Sequence, residues 1–366
     1  MTKVLMVVSP SKRLAYLRMA TEFTTDIEYL VFTPAYPRAG VCSATIEMPA
    51  SDTIQQKLLG DPQLHKILDE FNPDLIFTDT PLYATHSKLR SLIKRKRTPL
   101  LVQLHGDWWR EYCSWFASSR WRKRILASQQ FAYSWSGLAF AYKILPVCKW
   151  LEHVTHHYMP RTKTEVLHVG VDPNEFYEQP GLHTYRPAVA IIQNHTVYQK
   201  VEGLLRFKSV IDKLANIHFY IAEGQRLYQQ YLPEVKSTYA SSKNVHFVGG
   251  VDGVEKVRMM LTASDCYVLA SGLDCSPVTI LEASLLRRPV IASNIGGVPE
   301  LIRENVTGWT IDNNDIDTWM DRITSVTSDP KLAERIGNNG RDWVAKNFAW
   351  SVVAQQLQRS IADAIN

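Results

Sequence analysis

The sequence has few cysteines, and none of them are paired by spacing. Cys42, Cys113, Cys148, Cys266 and Cys275 form no C-x-x-C. An odd, scattered set suits reduced thiols rather than a disulfide framework. Long hydrophobic runs are missing too. The opening Met1–Val8 is apolar for about five residues, short of the ~7–15 of a secretory signal core, so it reads as a strand. No segment approaches the ~18 uncharged apolar residues of a membrane span. Trp135–Cys148 comes nearest and is broken by Lys143 and Pro146. The expected compartment is the cytoplasm, where the sequons Asn194-His195-Thr196 and Asn305-Val306-Thr307 are chance matches. With 45% hydrophobic and 21% charged residues, and only 18 Pro and 17 Gly, the chain is neither disordered nor fibrous.

What is present is an uneven charge. The 366 residues carry 41 Lys+Arg against 36 Asp+Glu, a formal net charge of +5. Residues 1–183 hold 22 basic and 17 acidic side chains; residues 184–366 hold 19 of each. The excess is densest between Lys88 and Arg124, where eleven basic residues face only Asp107 and Glu111. Such a surface serves nucleic acid, an anionic membrane or an acidic substrate.

Short apolar runs alternate with helix-length stretches from the first residue. Lys3–Val8, Asp74–Thr78, Pro99–Leu104 and Val166–His168 form a first series of strands. Val189–Ile192, His218–Ile221, Val245–Val248, Cys266–Leu269, Pro289–Ala292 and Trp309–Ile311 form a second. That alternation predicts two α/β units with parallel sheets. The seam falls in the aperiodic Tyr177–Pro187. A final helix over about Ser351–Ala364 carries one apolar stripe at Val352, Val353, Leu357, Ile361 and Ala364. In such folds ligands sit at the carboxyl ends of strands, near helix N-termini, and a cleft between two sheets is the expected site.

The segment Cys266–Gly308 is the richest. A strand leads to Ala270-Ser-Gly-Leu-Asp274-Cys-Ser276-Pro277 and then to the helix-prone Val278–Leu286. The unpaired N–H groups of that helix start favour a phosphate. Asp274 and Glu282 lie eight residues apart, one before the helix and one within it. A second strand then leads to the glycine pair Gly296-Gly297, where backbone approaches a ligand closely.

Ser271-x-x-Asp274-x-x-Pro277-x-x-x-Leu281-Glu282-Ala283, then Pro289-Val-Ile-Ala, Gly296-Gly297-Val-Pro299-Glu300 and Thr307-Gly308 resemble the signature of the group 1 glycosyltransferases (glycosyltransferase family 4), retaining enzymes of the GT-B fold. The resemblance implies that Glu282 holds the ribose hydroxyls of a nucleotide and that Asp274, where the family usually has Glu, contacts the transferred sugar. It places Lys200 on the donor diphosphate, with His195 at the position of the family's Arg. A neutral His lacks the bidentate fork of a guanidinium. Asn244–Gly250 resembles the strand and turn beside the nucleobase, which implicates Gly249 and Gly250. Ser264–Leu269, His168-Val-Gly170-Val-Asp172 and Phe348-Ala-Trp350 also match. His105, in Leu104-His-Gly-Asp107 after a buried strand, matches the His that reaches the donor sugar. The family's glycine-rich loop after the first strand is absent; Ser9-Pro-Ser-Lys12-Arg13 stands there, either a solvated loop or a contact for an anionic substrate.

Two other motifs are weaker. Asp315-Ile-Asp317 resembles a metal-binding Asp-x-Asp, but its place before a helix reads as a cap. His153, His156 and His157 lack a zinc ligand set. Six of the ten Trp lie between Trp108 and Trp150, and Trp108, Trp109, Trp115 and Trp121 interleave with Arg110, Arg120, Arg122, Lys123 and Arg124. The open readings are a solvated basic face, a membrane interface and a single-strand nucleic-acid surface. The membrane outranks nucleic acid, for which no recognition motif exists.

The expected molecule is a GT-B protein: two doubly wound Rossmann-like domains, 1–180 binding acceptor and 181–345 binding donor, facing a cleft, with 346–366 crossing back to the first. The resemblance implies retaining, metal-independent hexosyl transfer, and the expected reaction runs from a UDP- or GDP-sugar to a hydroxyl of a glycan or lipid-linked acceptor at the inner face of the membrane. Lys200, His195 and the backbone N–H groups of Ser276, Val278 and Thr279 would stabilise the leaving diphosphate, and the resemblance implies front-face attack assisted by the leaving phosphate. The rival readings are a catalytically weak nucleotide-sugar-binding or scaffold protein, and a GT-B epimerase or phosphorylase.

Overall fold

The near-continuous apolar runs fold as parallel strands covered on both faces, because only burial of both faces removes such runs from water. In this computed structural model the described residues are 1–9, 13–24, 26–34, 47–48, 68–81, 87–110, 112–113, 121–195, 197–223, 230–251 and 253–366. β1 (Thr2–Val7), β2 (Ile27–Pro34), β3 (Glu47–Met48), β4 (Leu75–Thr78), β5 (Leu100–Leu104) and β6 (Lys143–Pro146) form one sheet, ordered β3-β2-β1-β4-β5-β6. β7 (Ala188–Ile191), β8 (His218–Ile221), β9 (Val245–Phe247), β10 (Cys266–Leu269), β11 (Val290–Ser293) and β12 (Gly308–Ile311) form the other, ordered β12-β11-β10-β7-β8-β9. Each sheet starts at its centre, builds to one edge, then crosses back and builds to the other. Both therefore have the doubly wound order. Its topological switch points lie between β1 and β4, and between β7 and β10.

The residues pack as two units, Met1–Gly170 with Trp350–Asn366, and Val171–Ala349. The aperiodic stretch expected as a linker is bonded within the second unit: Tyr185 N donates to Tyr220 Oη at 2.6 Å and Thr184 Oγ1 to the Ala263 carbonyl at 3.0 Å. Six helices carry or support the singled-out residues: α1 (Arg13–Thr21), α2 (Trp121–Ala139), α3 (Lys149–Tyr158), α4 (Tyr198–Arg206), α5 (Val278–Leu285) and α6 (Trp350–Ile365).

The terminal helix α6 forms as its stripe predicts. Val353, Ala354, Leu357 and Ile361 are buried with Tyr16, Met19 and Ala20 of α1 and Val4 and Met6 of β1. Its far end is held by charge. Lys143 Nζ lies 2.7 Å from Glu165 and 2.9 Å from Asp363, and Ser360 Oγ donates to the same Glu165 carboxylate at 2.8 Å. This explains why β6 was illegible. Lys143, which breaks the apolar run, is a strand residue made tolerable by two carboxylates.

Two strand expectations need correction. Val166–His168 forms no strand. It runs beside β6, with Glu165 N on the Ile144 carbonyl and Leu167 N on that of Pro146; Pro146 has no N–H with which to extend the ladder. β2 was missed because Glu28, Thr33 and Pro34 interrupt its apolar pattern.

Candidate functional site

The second unit brings most of the singled-out residues to one sheet edge. β7 ends at Ile191, and α4, which begins at Tyr198, carries Lys200. β10 ends at Leu269, and its loop carries Asp274 to the start of α5. These are the two strands flanking the switch point. Lys200 Nζ and Asp274 Oδ2 are 2.9 Å apart, with side chains 29% and 12% exposed.

Three features hold that geometry. Gly203 faces the backbone of Ser271 so closely that a β-carbon would overlap its carbonyl carbon, and Gly272 meets the Gln199 carbonyl oxygen in the same way. Gly296, at φ +51°, lies against the Asp274 carbonyl, and Gly297 N donates to that carbonyl at 3.1 Å. The buried Tyr267 phenol bonds the Ile192 carbonyl at 2.9 Å and Thr279 Oγ1 at 2.7 Å, tying the end of β7 to the first turn of α5. Beneath, Ser271 N donates to Ser293 Oγ at 3.0 Å, and Asn313 Nδ2 donates to the Ser271 carbonyl at 2.9 Å.

Helix α5 begins after Pro277, which supplies no side-chain cap, so Val278 and Thr279 stand in a first turn whose N–H groups favour an anion. Ser276 Oγ beside it is buried without a hydrogen-bond partner. Glu282 lies in α5, and desolvation, followed by the nearby Glu175 carboxylate, raises its carboxyl from the ordinary 4.5 to about 7. The folded chain thus keeps this proton to higher pH than the unfolded chain does. Stability from this group is full below about pH 4.5 and is lost as pH rises through about 7. Glu282→Gln should remove that decline, which denaturant midpoints measured at about pH 5 and about pH 8 will show.

His195 is fully buried. Its Nε2 lies 2.8 Å from the Ala222 carbonyl, which can only accept, so Nε2 carries the proton. Burial lowers its pKa, against the opposing pull of that carbonyl and Glu223, and Nδ1 has no partner. The ring is thus a neutral, buried group. Gly249, at φ +72°, ends the strand edge by accepting from Glu223 N at 2.9 Å, and the carbonyl of Gly250 faces Lys256 Nζ at 3.5 Å.

In the first unit, β5 carries His105 one residue beyond its carboxyl end. At the switch point beside it, Ser9 N and Oγ both donate to Asp79, at 2.8 and 2.5 Å. Lys12 lies outside the described residues. Asp107 accepts from Arg110 N at 3.0 Å. Trp108 stacks on Phe131 at 4.8 Å, and the buried Trp109 stacks on Tyr158 at 4.8 Å and meets Trp135 edge-on at 6.4 Å. Trp108 and Trp109, the two tryptophans of the basic region with described side chains, are therefore packed on aromatic neighbours. Arg90 and Lys94 lie over the Phe140 ring at 4.9 and 4.7 Å. Trp115 and Arg120 lie outside the described residues, as do the side chains of Trp121–Arg124. Asp315 caps its helix as expected, accepting from Thr318 N at 3.1 Å. His153 Nδ1 lies 2.8 Å from the Lys149 carbonyl, and His156 Nε2 lies 2.8 Å from Thr164 Oγ1.

Sequence reasoning missed Gly203, Gly272 and Tyr267. A glycine inside a helical pattern, as at 203, was the available signal for close backbone packing. Nothing in the sequence signalled that the Tyr267 hydroxyl would bridge two elements.

Solved structures share this architecture. Sucrose-phosphate synthase from Thermosynechococcus elongatus superposes with a TM-score of 0.75 at 16% identity, over 99% of both chains. HepE of Anabaena, solved with UDP-glucose, superposes at 0.71 and 16% identity over 99% of this chain and 100% of that one. The fold is GT-B. Residues 181–343 match the family described as glycosyl transferases group 1, and residues 17–175 match glycosyltransferase family 4. The chain belongs to the group 1 glycosyltransferases. Among curated relatives, a GDP-mannose-dependent alpha-(1-6)-phosphatidylinositol monomannoside mannosyltransferase of Mycobacterium tuberculosis is 26% identical over 213 residues, 54% of this chain and 55% of that one. The chain spans about half the length of the curated relatives it matches. Among the described residues, no helix is long and apolar enough to cross a membrane.

Proposed function

We propose that this chain is a retaining hexosyltransferase that takes a nucleotide-sugar as donor. The observation that carries the reading is the Lys200–Asp274 pair at 2.9 Å, at the switch point of the second sheet and beside the start of α5. An ammonium and a helix N-terminus form a diphosphate site. A carboxylate beside them accepts from sugar hydroxyls, and Glu282 within α5 accepts from a ribose.

Lys200 and the N–H groups of Val278 and Thr279 stabilise charge on the leaving diphosphate, and these chain groups require no metal for that role. Asp274 orients the sugar. His105 is the further residue assigned to the sugar. No enzymic nucleophile is assigned; the leaving phosphate assists attack by the acceptor hydroxyl on the same face. The buried His195 positions the loop through Ala222 rather than touching phosphate. That burial also favours a second reading, a protein that binds the donor but turns over weakly, because one expected diphosphate contact is withdrawn.

The acceptor is a glycan or lipid-linked hydroxyl presented at the cytoplasmic face of a membrane. The basic residues of 88–124, Arg90 and Lys94 among them, supply contact with anionic lipid.

A thermal-shift panel of UDP-, GDP- and ADP-sugars tests the donor site. A ligand at about 100 times its Kd adds ~2.7 kcal/mol, a rise of a few degrees in a chain of this size. One nucleotide should raise Tm in the wild type and fail to do so in Lys200→Ala. Silence across the whole panel would refute the site. Donor-dependent nucleotide release then separates an enzyme from a binding protein.

A further inference from the structure

The strand β5 reads Leu-Leu-Val-Gln-Leu and is buried throughout, yet it contains Gln103, which is 3% exposed. A buried amide needs partners for both ends. Gln103 Nε2 donates to the Leu167 carbonyl at 2.9 Å, and because a carbonyl only accepts, this fixes which end of the amide is nitrogen. The remaining end, Oε1, accepts from the Tyr16 hydroxyl at 2.6 Å. Tyr16, on α1, is 3% exposed, with the Phe77 ring edge-on at 5.4 Å. Burial, and secondarily the Asp79 carboxylate, hold its phenol protonated well above the ordinary range.

A tyrosine has one hydroxyl proton, and Gln103 takes it. The same oxygen lies 2.8 Å from His105 Nε2. Residues 103 and 105 project to the same side of an extended chain, which is why both meet one tyrosine. Two acceptors cannot share that distance, so the proton in the Tyr16–His105 contact belongs to the imidazole.

We propose that Tyr16, oriented by Gln103, is a positioning residue that locks His105 in the Nε2–H tautomer. Nδ1 is then the ring atom that gains or loses a proton. The consequence for catalysis rests on the transferase reading: where His105 contacts the donor sugar, its tautomer decides which ring nitrogen is the donor and which the acceptor. The tautomer itself stands without that reading.

The test is ¹⁵N NMR of the histidine side chains in the full chain at neutral pH, with His105 assigned by its loss in His105→Ala. In the wild type, Nε2 should give a protonated, pyrrole-type signal and Nδ1 a pyridine-type signal. Tyr16→Phe keeps the apolar ring and removes the acceptor, so both signals should move toward averaged positions. Gln103→Met frees the tyrosine proton to turn to the imidazole, so the proton should shift to Nδ1. A protonated Nδ1 in the wild type would overturn the proposal, as would a tautomer unchanged in both variants. Turnover separates the two readings. Tyr16→Phe should lower kcat roughly ten- to a hundred-fold, the scale for losing a partner that orients a functional His, with donor KM little changed. If the NMR result holds while His105→Ala transfers sugar normally, the sugar-contact role is wrong and the positioning stands.

Discussion

If the proposed transferase reading holds, Lys200→Ala should lower kcat/KM for donor-dependent transfer by about 10²–10³-fold, the range for removing one preorganised donor from a developing anion. On that reading the loss should appear in kcat as much as in binding, because charge on the diphosphate would grow as the sugar departs. The variant also exposes the other half of the pair. Asp274 is 12% exposed and loses its cation, so stability falls by about 1–3 kcal/mol. Asp274→Ala in the same background recovers part of that stability but not the activity. A double-mutant cycle on denaturation midpoints should give a coupling of about 0.5–3 kcal/mol between the two sites. Transfer rates unaffected by Lys200→Ala would place the diphosphate elsewhere.

Gly203→Ala is the second large effect, and it acts without touching any ligand. The added methyl would overlap the Ser271 carbonyl carbon. Backbone cannot rotate away as a side chain can, so α4 and the β10–α5 loop must separate. The expected loss is about 3 kcal/mol, the upper end for overpacking, read from urea midpoints. Separation also parts Lys200 from Asp274, so nucleotide affinity should fall together with stability. Gly249→Ala is the contrast, because no atom lies within 4 Å of its β-position and only the φ of +72° resists the change. If Gly203→Ala bound nucleotide as the wild type does, the close approach would be irrelevant to the site.

The parallel sheets were legible because their strands are buried on both faces, which leaves no polar alternation to misread. Lys200, Asp274 and Glu282 could be named from the sequence because they fall on a family motif; the structure brings Lys200 and Asp274 together and places Glu282 in α5. The failures share a cause. Lys143 sits in a strand because Glu165 and Asp363, 22 and 220 residues away in sequence, come to meet it. His195 stands at the position of the family's Arg and was expected beside the diphosphate, yet it is buried, with Nε2 on the Ala222 carbonyl at the neighbouring strand's exit. Gln103 interrupts an apolar strand because Tyr16 and Leu167 satisfy it. In each case the deciding partner is distant in sequence, and no local pattern announces it.

The Lys200–Asp274 contact has a consequence for selectivity. Within the chain, the cation expected to greet phosphate already has an anion of its own. On the proposed donor reading, an incoming anion would displace that carboxylate, whose side chain is 12% exposed, and leave it without its cation. Inorganic phosphate can replace only one half of the pair. A molecule with a diphosphate at one end and hydroxyl donors at the other replaces both halves at once. On the proposed donor reading, the internal ion pair would act as a resident competitor that penalises simple anions and spares two-headed ones.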